Sequence, residues 1–436
     1  MKKVLMIAPM MLAAAGMLAQ AKTSPPALAP LEALMPDLEK LYLDLHQSPE
    51  LSQHEEKTSA KMAERLKALG YQVTAGFGGY GVVGILENGK GPTVMIRTDL
   101  DALPVEEKTG VPYASRVRTK DDAGNDVGVM HACGHDTHMS SWVGTATLLA
   151  RSKDKWRGTV MMVGQPDEEK DNGARAMLKA GLFTKFGKPD FAIAMHDAAE
   201  MPAGLVGVGS GYMLANSDSV DVTIYGRGGH GAYAYRTVDP IVIAARTVLA
   251  LQTIVSREMN PLDPAVITVG SIHGGSKHNI IPDEVRLQLT VRSYKEDVRQ
   301  KLLDAIARIA KAEAAAAGAP KEPAVKVLTG YASTYNDPAL AKRLSETFRK
   351  AFGPDRVIDP PPVMASEDFS EYGRAGVPAV IMWVGAVQPE KYQAARASGT
   401  PLPGLHSSEW LPDYSGTIRT GVSSLTLAAL ELLARP

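Results

Sequence analysis

The run His131, Ala132, Cys133, Gly134, His135, Asp136, Thr137, His138 brings three imidazoles and the only thiol of the chain into eight consecutive residues. Imidazole and thiolate are the donors a borderline-soft divalent metal prefers, and Gly134 gives the backbone freedom to turn both toward one point. A solvated turn rich in histidine fits the same run. Glu168 and Glu169 follow an apolar run and the Gln165, Pro166 pair. If that segment is extended, the two carboxylates point to opposite sides, one toward a metal and the other toward substrate. Asp99 and Asp101 suit the bracing of metal-bound histidines, and suit a capped turn equally well.

These residues need a frame. Short apolar runs at Gly81 to Leu86, Thr93 to Arg97, Thr159 to Val163 and Phe191 to Met195 alternate with helical spacing, which begins at Leu31, Leu34, Leu38, Leu41, Tyr42 and Leu45. That alternation predicts an α/β fold, a mixed and mostly parallel sheet with helices on both faces. Asp99, Glu168, Glu169 and His196 each come just after one of these runs, and ligands of open α/β sheets bind beyond the strands' carboxyl ends. Between about Ser217 and Tyr331 the rhythm becomes the βαββαβ order of a ferredoxin-like unit. Its fourth element alternates Val285, Leu287, Leu289 and Val291 with Arg286, Gln288, Thr290 and Arg292, which predicts one packed and one polar face. The expected organisation is therefore a discontinuous domain over 22–216 and 332–436, interrupted by an insert over 217–331.

The 436 residues carry 47 Lys plus Arg against 48 Asp plus Glu, so no net field favours nucleic acid or an anionic membrane, and a small molecule is the expected partner. Lys2 and Lys3, the apolar stretch Val4 to Ala19 and the Ala19, Gln20, Ala21 pattern read as a signal peptide over 1–21, cut after Ala21. The stretch is shorter than the about 20 residues of a spanning helix, so the expectation is export to the periplasm with no stable membrane insertion after processing. Export of a chain with one cysteine excludes an internal disulfide and leaves Cys133 to be explained by a buried packing role or by chemistry.

Leu51 and Ser52, Asp99 to Pro104, His131 to His138, Gln165 to Glu169, Gly226 to His230, Asn279 to Asp283, Ser366 to Phe369, and Leu405 with His406 follow one another over nearly the whole chain. In this order they resemble the amidohydrolase branch of the two-metal aminoacylase and carboxypeptidase family of peptidases, whose members include hydrolases of N-acyl, hippuryl and indole-acetyl amino acids. The resemblance implies a catalytic domain joined to an inserted dimerisation, or lid, domain. It implies that Cys133, His135, Glu169, His196 and His406 hold two divalent metal ions, zinc first and Mn, Co or Ni as alternatives, with the thiolate as bridge. Glu168 is then the general base of amide hydrolysis by metal-activated water, and Asp99 assists the ligands. His230 is implied to reach the partner subunit's site in a homodimer, and Asn279 with Arg292 to clamp the free carboxylate of an N-acyl amino acid or small peptide. Outside the family, His230 reads as a turn histidine and Arg292 as an exposed strand arginine.

The chain departs from the family pattern at Ser48, Asp167, Asp197 and Tyr233 to Tyr235, segments that border the cleft and so bear on substrate preference. Two rival readings stand beside hydrolysis by a metal centre. One is a non-catalytic, metal-containing periplasmic binding protein, and the other a cysteine hydrolase with Cys133 as nucleophile.

Overall fold

The computed structural model describes residues 25–434; the expected signal peptide lies outside the described residues. An eight-stranded sheet forms the larger part, in the order Gln72–Ala75, Val82–Asn88, Gly158–Gln165, Thr93–Asp99, Phe191–Pro202, Ala379–Val387, Val206–Gly207, Val357–Ile358. Its four central strands are parallel and its flanking pairs include antiparallel ones, the mixed and mostly parallel sheet expected. The central strands are apolar along their length because both faces are covered.

On one face the helices His135–Arg151 and Tyr414–Leu432 pack against the sheet, and Leu31–Gln47 packs on both of them. The middle helix is buried almost throughout, and Trp142 pins it to the sheet by donating its indole N–H to the carbonyl oxygen of Ile96 at 3.0 Å. This anchors the helix start, which carries His135, over the ends of the central strands.

The chain leaves this sheet through Asn216–Tyr225 and builds a second, four-stranded antiparallel sheet in the order Ala265–His273, Glu284–Ser293, Asn216–Tyr225, Ala324–Thr329. Val285, Leu287, Leu289 and Val291 are buried as their alternation predicts, and they face a core shared with the helices Pro240–Thr253 and Glu296–Ala316. The first of these helices runs on as a wider turn to Glu258, and over Pro240–Glu258 it is long and apolar enough to cross a membrane by length and composition. It buries Ile243, Ala244, Thr247, Leu251 and Ile254 inward and leaves Ile241, Val242 and Leu249 exposed.

Candidate metal centre

Five segments of the larger sheet's carboxyl-end rim converge. The Thr93–Asp99 strand delivers Asp99 and Asp101, the turn after Gly158–Gln165 delivers Glu168 and Glu169, and the start of His135–Arg151 delivers Cys133 and His135. His196 sits within its strand, since pairing with Ala379–Val387 carries that strand on to Pro202, past the end expected at Met195. Cys133 precedes Gly134, which takes φ +82° at the helix cap; a Cβ there would collide with the Asp197 carboxylate, so glycine is required by both conformation and space. His406 lies on a late loop in a left-handed conformation, φ +64°, and its backbone N–H donates to Ala132 O at 2.8 Å. That bond places its ring beside Cys133.

The Cys133 Sγ lies 3.6 Å from His196 Nε2 and 3.2 Å from His406 Nε2. His135 Nε2 stands 3.8 Å from Glu169 Oε1 and 4.0 Å from Glu168 Oε2, and His406 Nε2 is 3.5 Å from Glu169 Oε2. Two donor trios result, Cys133 with His135 and His196, and Cys133 with Glu169 and His406, each within 4.8 Å among its own atoms. The sulfur is common to both. The Glu168 and Glu169 carboxylates approach the same ring nitrogen, which corrects the expectation of opposite faces. The segment is a turn and not a strand, with Asp167 at φ +57° and Asp171 at φ +59° on either side.

The donor set fits divalent cations. His135 Nε2 and Glu169 Oε1 are buried with no hydrogen-bond partner among the described residues, and a cation at the centre would satisfy both. Asp99, Asp101, Glu168, Glu169, Glu367 and Asp368 crowd the same region, while Arg97 is the permanently charged cation facing them. Burial, with Glu169 and Glu168 nearby, pushes the Cys133 thiol well above its ordinary range, and burial pushes Glu169 up to about 8 against the pull of His135. A cation in contact reverses both shifts.

Bracing groups complete the centre. His135 Nδ1 donates to Asp101 O at 2.8 Å, Asp101 Oδ2 accepts from Ser52 Oγ at 2.6 Å and from Glu169 N–H at 3.0 Å, and His196 Nδ1 donates to Asp197 O at 2.9 Å. Each ligand nitrogen Nε2 is thereby turned toward the sulfur. Asp99 does not brace a ligand in this way. Its Oδ1 takes His138 Nδ1 at 2.8 Å and its Oδ2 takes Arg97 at 2.7 Å, while His138 Nε2 accepts the Asp197 N–H at 2.9 Å. With both ring nitrogens occupied, His138 is a scaffold residue and not a donor to the centre.

Sequence reasoning assigned no role to the Arg97 hub. This fully buried guanidinium binds Asp99, Glu367 at 2.8 Å, Asp368 at 3.0 Å and Gln165 at 3.0 Å. Its signal was a charge inside the apolar strand Val94, Met95, Ile96, Arg97. Arg97→Leu leaves three buried carboxylates without their counter-ion and is expected to destabilise the fold by about 3–5 kcal/mol, read as a lower urea midpoint. An unchanged midpoint would contradict the hub.

The remaining predicted residues lie apart. His230 and Asn279 stand on an exposed two-stranded ribbon, Gly229–His230 paired with Ile280–Ile281, where Gly231 N–H donates to Asn279 O at 2.9 Å. Arg292 sits at the end of the Glu284–Ser293 strand remote from the turn that carries Asn279, about 26 Å along the strand from Glu284 at the usual rise per residue, and donates to Met364 O at 2.7 Å. One chain therefore does not join Asn279 and Arg292 in a single clamp.

A doubly covered, mostly parallel sheet bearing a sulfur, nitrogen and oxygen donor set at its strand ends is a frame for a metal-dependent enzyme. Residues 95–398 match the sequence model of Peptidase family M20/M25/M40, and this chain belongs to that family. It is 34% identical over 392 residues to thermostable carboxypeptidase 2 of Saccharolobus solfataricus, covering 89% of this chain and 93% of that one. It is 38% identical over 329 residues to N-acetyl-L-cysteine deacetylase of Bacillus subtilis, covering 75% of each. A dinuclear metal-binding M20 peptidase of Bacillus subtilis superposes with a TM-score of 0.76 at 27% identity, covering 92% of this chain and 99% of that one. The two donor trios of this chain could each hold one divalent ion.

Proposed function

We propose that this chain is an exported amidohydrolase cleaving the amide of N-acyl amino acids or small peptides that end in a free carboxylate. The observation that carries this reading is the thiol of Cys133 shared by two donor trios beside a second carboxylate, Glu168, that neither trio needs. Cys133, His135 and His196 would hold one cation and Cys133, Glu169 and His406 the other. Sulfur and imidazole donors favour zinc, with Mn, Co or Ni as alternatives. When bound, the cations polarise a water and the scissile carbonyl. Glu168 takes the water's proton and returns it to the leaving nitrogen.

Recognition rests on Arg292. Its guanidinium is half-buried, donates to Met364 O and, at 3.5 Å, to Ser366 Oγ, faces the Tyr331 hydroxyl, and has no carboxylate partner among the described residues. Burial lowers its pKa, so an anion arriving there is stabilised. His230 and Asn279 serve the centre of a second copy, in a homodimer built on the exposed edge strand Ala265–His273 and the apolar face of Pro240–Thr253. The relatives named above as a carboxypeptidase and a deacetylase support the substrate class, and the basic, apolar start of the chain supports export to the periplasm.

The test compares an N-acyl amino acid with its carboxamide. Arg292→Ala is expected to lower kcat/KM for the acid by about 10- to 100-fold, the worth of a charge-assisted bond, and to change the carboxamide little. Equal losses on both would remove Arg292 from recognition.

A further inference from the structure

The two strands that join the insert to the larger sheet lie directly on the turn that carries Glu168. Ser217 N–H donates to Tyr331 O at 3.0 Å, tying the outgoing and returning strands together. The Tyr331 hydroxyl then reaches across and donates to the backbone carbonyl of Glu168 at 2.6 Å. Beside it, Arg175 Nη2 donates to Gly330 O at 2.5 Å and pairs with Glu371 at 2.9 Å, while its Nη1 pairs with Asp171 at 3.4 Å. A Cβ on Gly330 would collide with Ser217 O, so the strands approach as closely as backbone allows.

The turn itself stores strain. Asp167 and Asp171, both left-handed, bracket Glu168 and Glu169, and such residues persist only where the surroundings over-determine them. Asp167 is fixed from outside the insert, by Gln53 at 3.0 Å, Asn172 at 2.9 Å and Glu55, which accepts the Asp167 N–H at 2.8 Å. Inside the turn, Asp171 N–H donates to the same Glu168 carbonyl at 2.9 Å. Tyr331 is the contact that makes this carbonyl answer to the insert.

We propose that Tyr331 is a positioning residue whose hydroxyl couples the placement of the insert to the orientation of Glu168. The insert carries Arg292, so capture of a substrate carboxylate and alignment of the general base become one mechanical event. This rests on the reading of Glu168 as general base.

Tyr331→Phe removes only the hydroxyl and keeps the ring. The expected result is a kcat lower by about tenfold, the worth of one buried hydrogen bond, with KM within about twofold and two cations still bound per chain. Hydrogen exchange of the peptide spanning residues 167–173 in the cation-free protein should speed up, because the Asp171 amide loses the second donor that fixes its acceptor. Unchanged kcat, a change confined to KM, or unchanged exchange in that peptide would each overturn the proposal. Glu168→Gln run beside it separates the two failures. If Glu168→Gln keeps activity, the base assignment is wrong; if it is inactive while Tyr331→Phe behaves as wild type, only the coupling is wrong.

Discussion

Dialysis of the protein against a strong chelator is expected to abolish amide hydrolysis, and adding back Zn, Mn, Co or Ni to restore it. The loss should be complete, because His135 Nε2 and Glu169 Oε1 have no other partner among the described residues and the cations are what would activate the attacking water. Stability should fall with activity. Ligands that bind only the folded state stabilise it by about 2.7 kcal/mol at a hundredfold excess over Kd, and removing them forfeits that for each ion.

The cation-free protein should also acquire a pH dependence. Glu169 titrates near 4.5 when unfolded and about 8 when folded, since burial outweighs the pull of His135. His46 moves from 6.5 to about 9, burial opposing its charge but the hydrogen bonds to Asp136 and Glu107 outweighing it. Both groups hold more protons in the folded state, so their contribution is full at low pH and is lost as pH rises. Between pH 6.5 and 9 the melting temperature of the stripped protein should decline, and restored cations, which keep Glu169 ionised, should flatten that slope. Full activity after stripping, or a stripped protein that melts higher at pH 9 than at pH 6.5, would count against the centre.

Glu168→Gln should lower kcat by about 10²–10⁴-fold while leaving cation content and fold unchanged. Burial, followed by Glu367, Glu169 and Asp368, pushes the Glu168 carboxyl well above its usual range, a state that favours accepting a proton and holding it. Cations beside it draw that value back toward neutrality, where the group can also give the proton up. Glutamine preserves shape and hydrogen bonding but cannot take the proton. Activity above about a tenth of wild type would sink the base assignment, and a covalent acyl adduct on Cys133, seen by mass spectrometry, would replace it with the thiol nucleophile. Equal, negligible rates for both proteins over a broad substrate panel would favour the binding-protein reading.

Much of the architecture was legible along the chain because it is local. Apolar runs of strand length, helical spacing from Leu31 and the alternation from Val285 to Val291 each follow from a period of two or 3.6 residues, and the structure keeps them. Where the neighbouring strand decided the outcome, local reading fell short. The His196 strand extends to Pro202 through register with Ala379–Val387, and the Glu168 segment turns back because Asp167 is held left-handed by Gln53, Asn172 and Glu55.

The sequence by itself determined the kinds of donor present and their rough order along the strand ends: one thiol, several imidazoles and a pair of carboxylates. Only the tertiary structure decided their partnerships. It made Cys133 common to two trios, assigned Asp101 to His135 and Asp99 to Arg97 and His138, and set Arg292 at the end of a strand remote from the turn that carries Asn279. The reason is physical. Residue type fixes what bonds an atom can form, but burial fixes which of them it must form, and burial is a property of the packed chain.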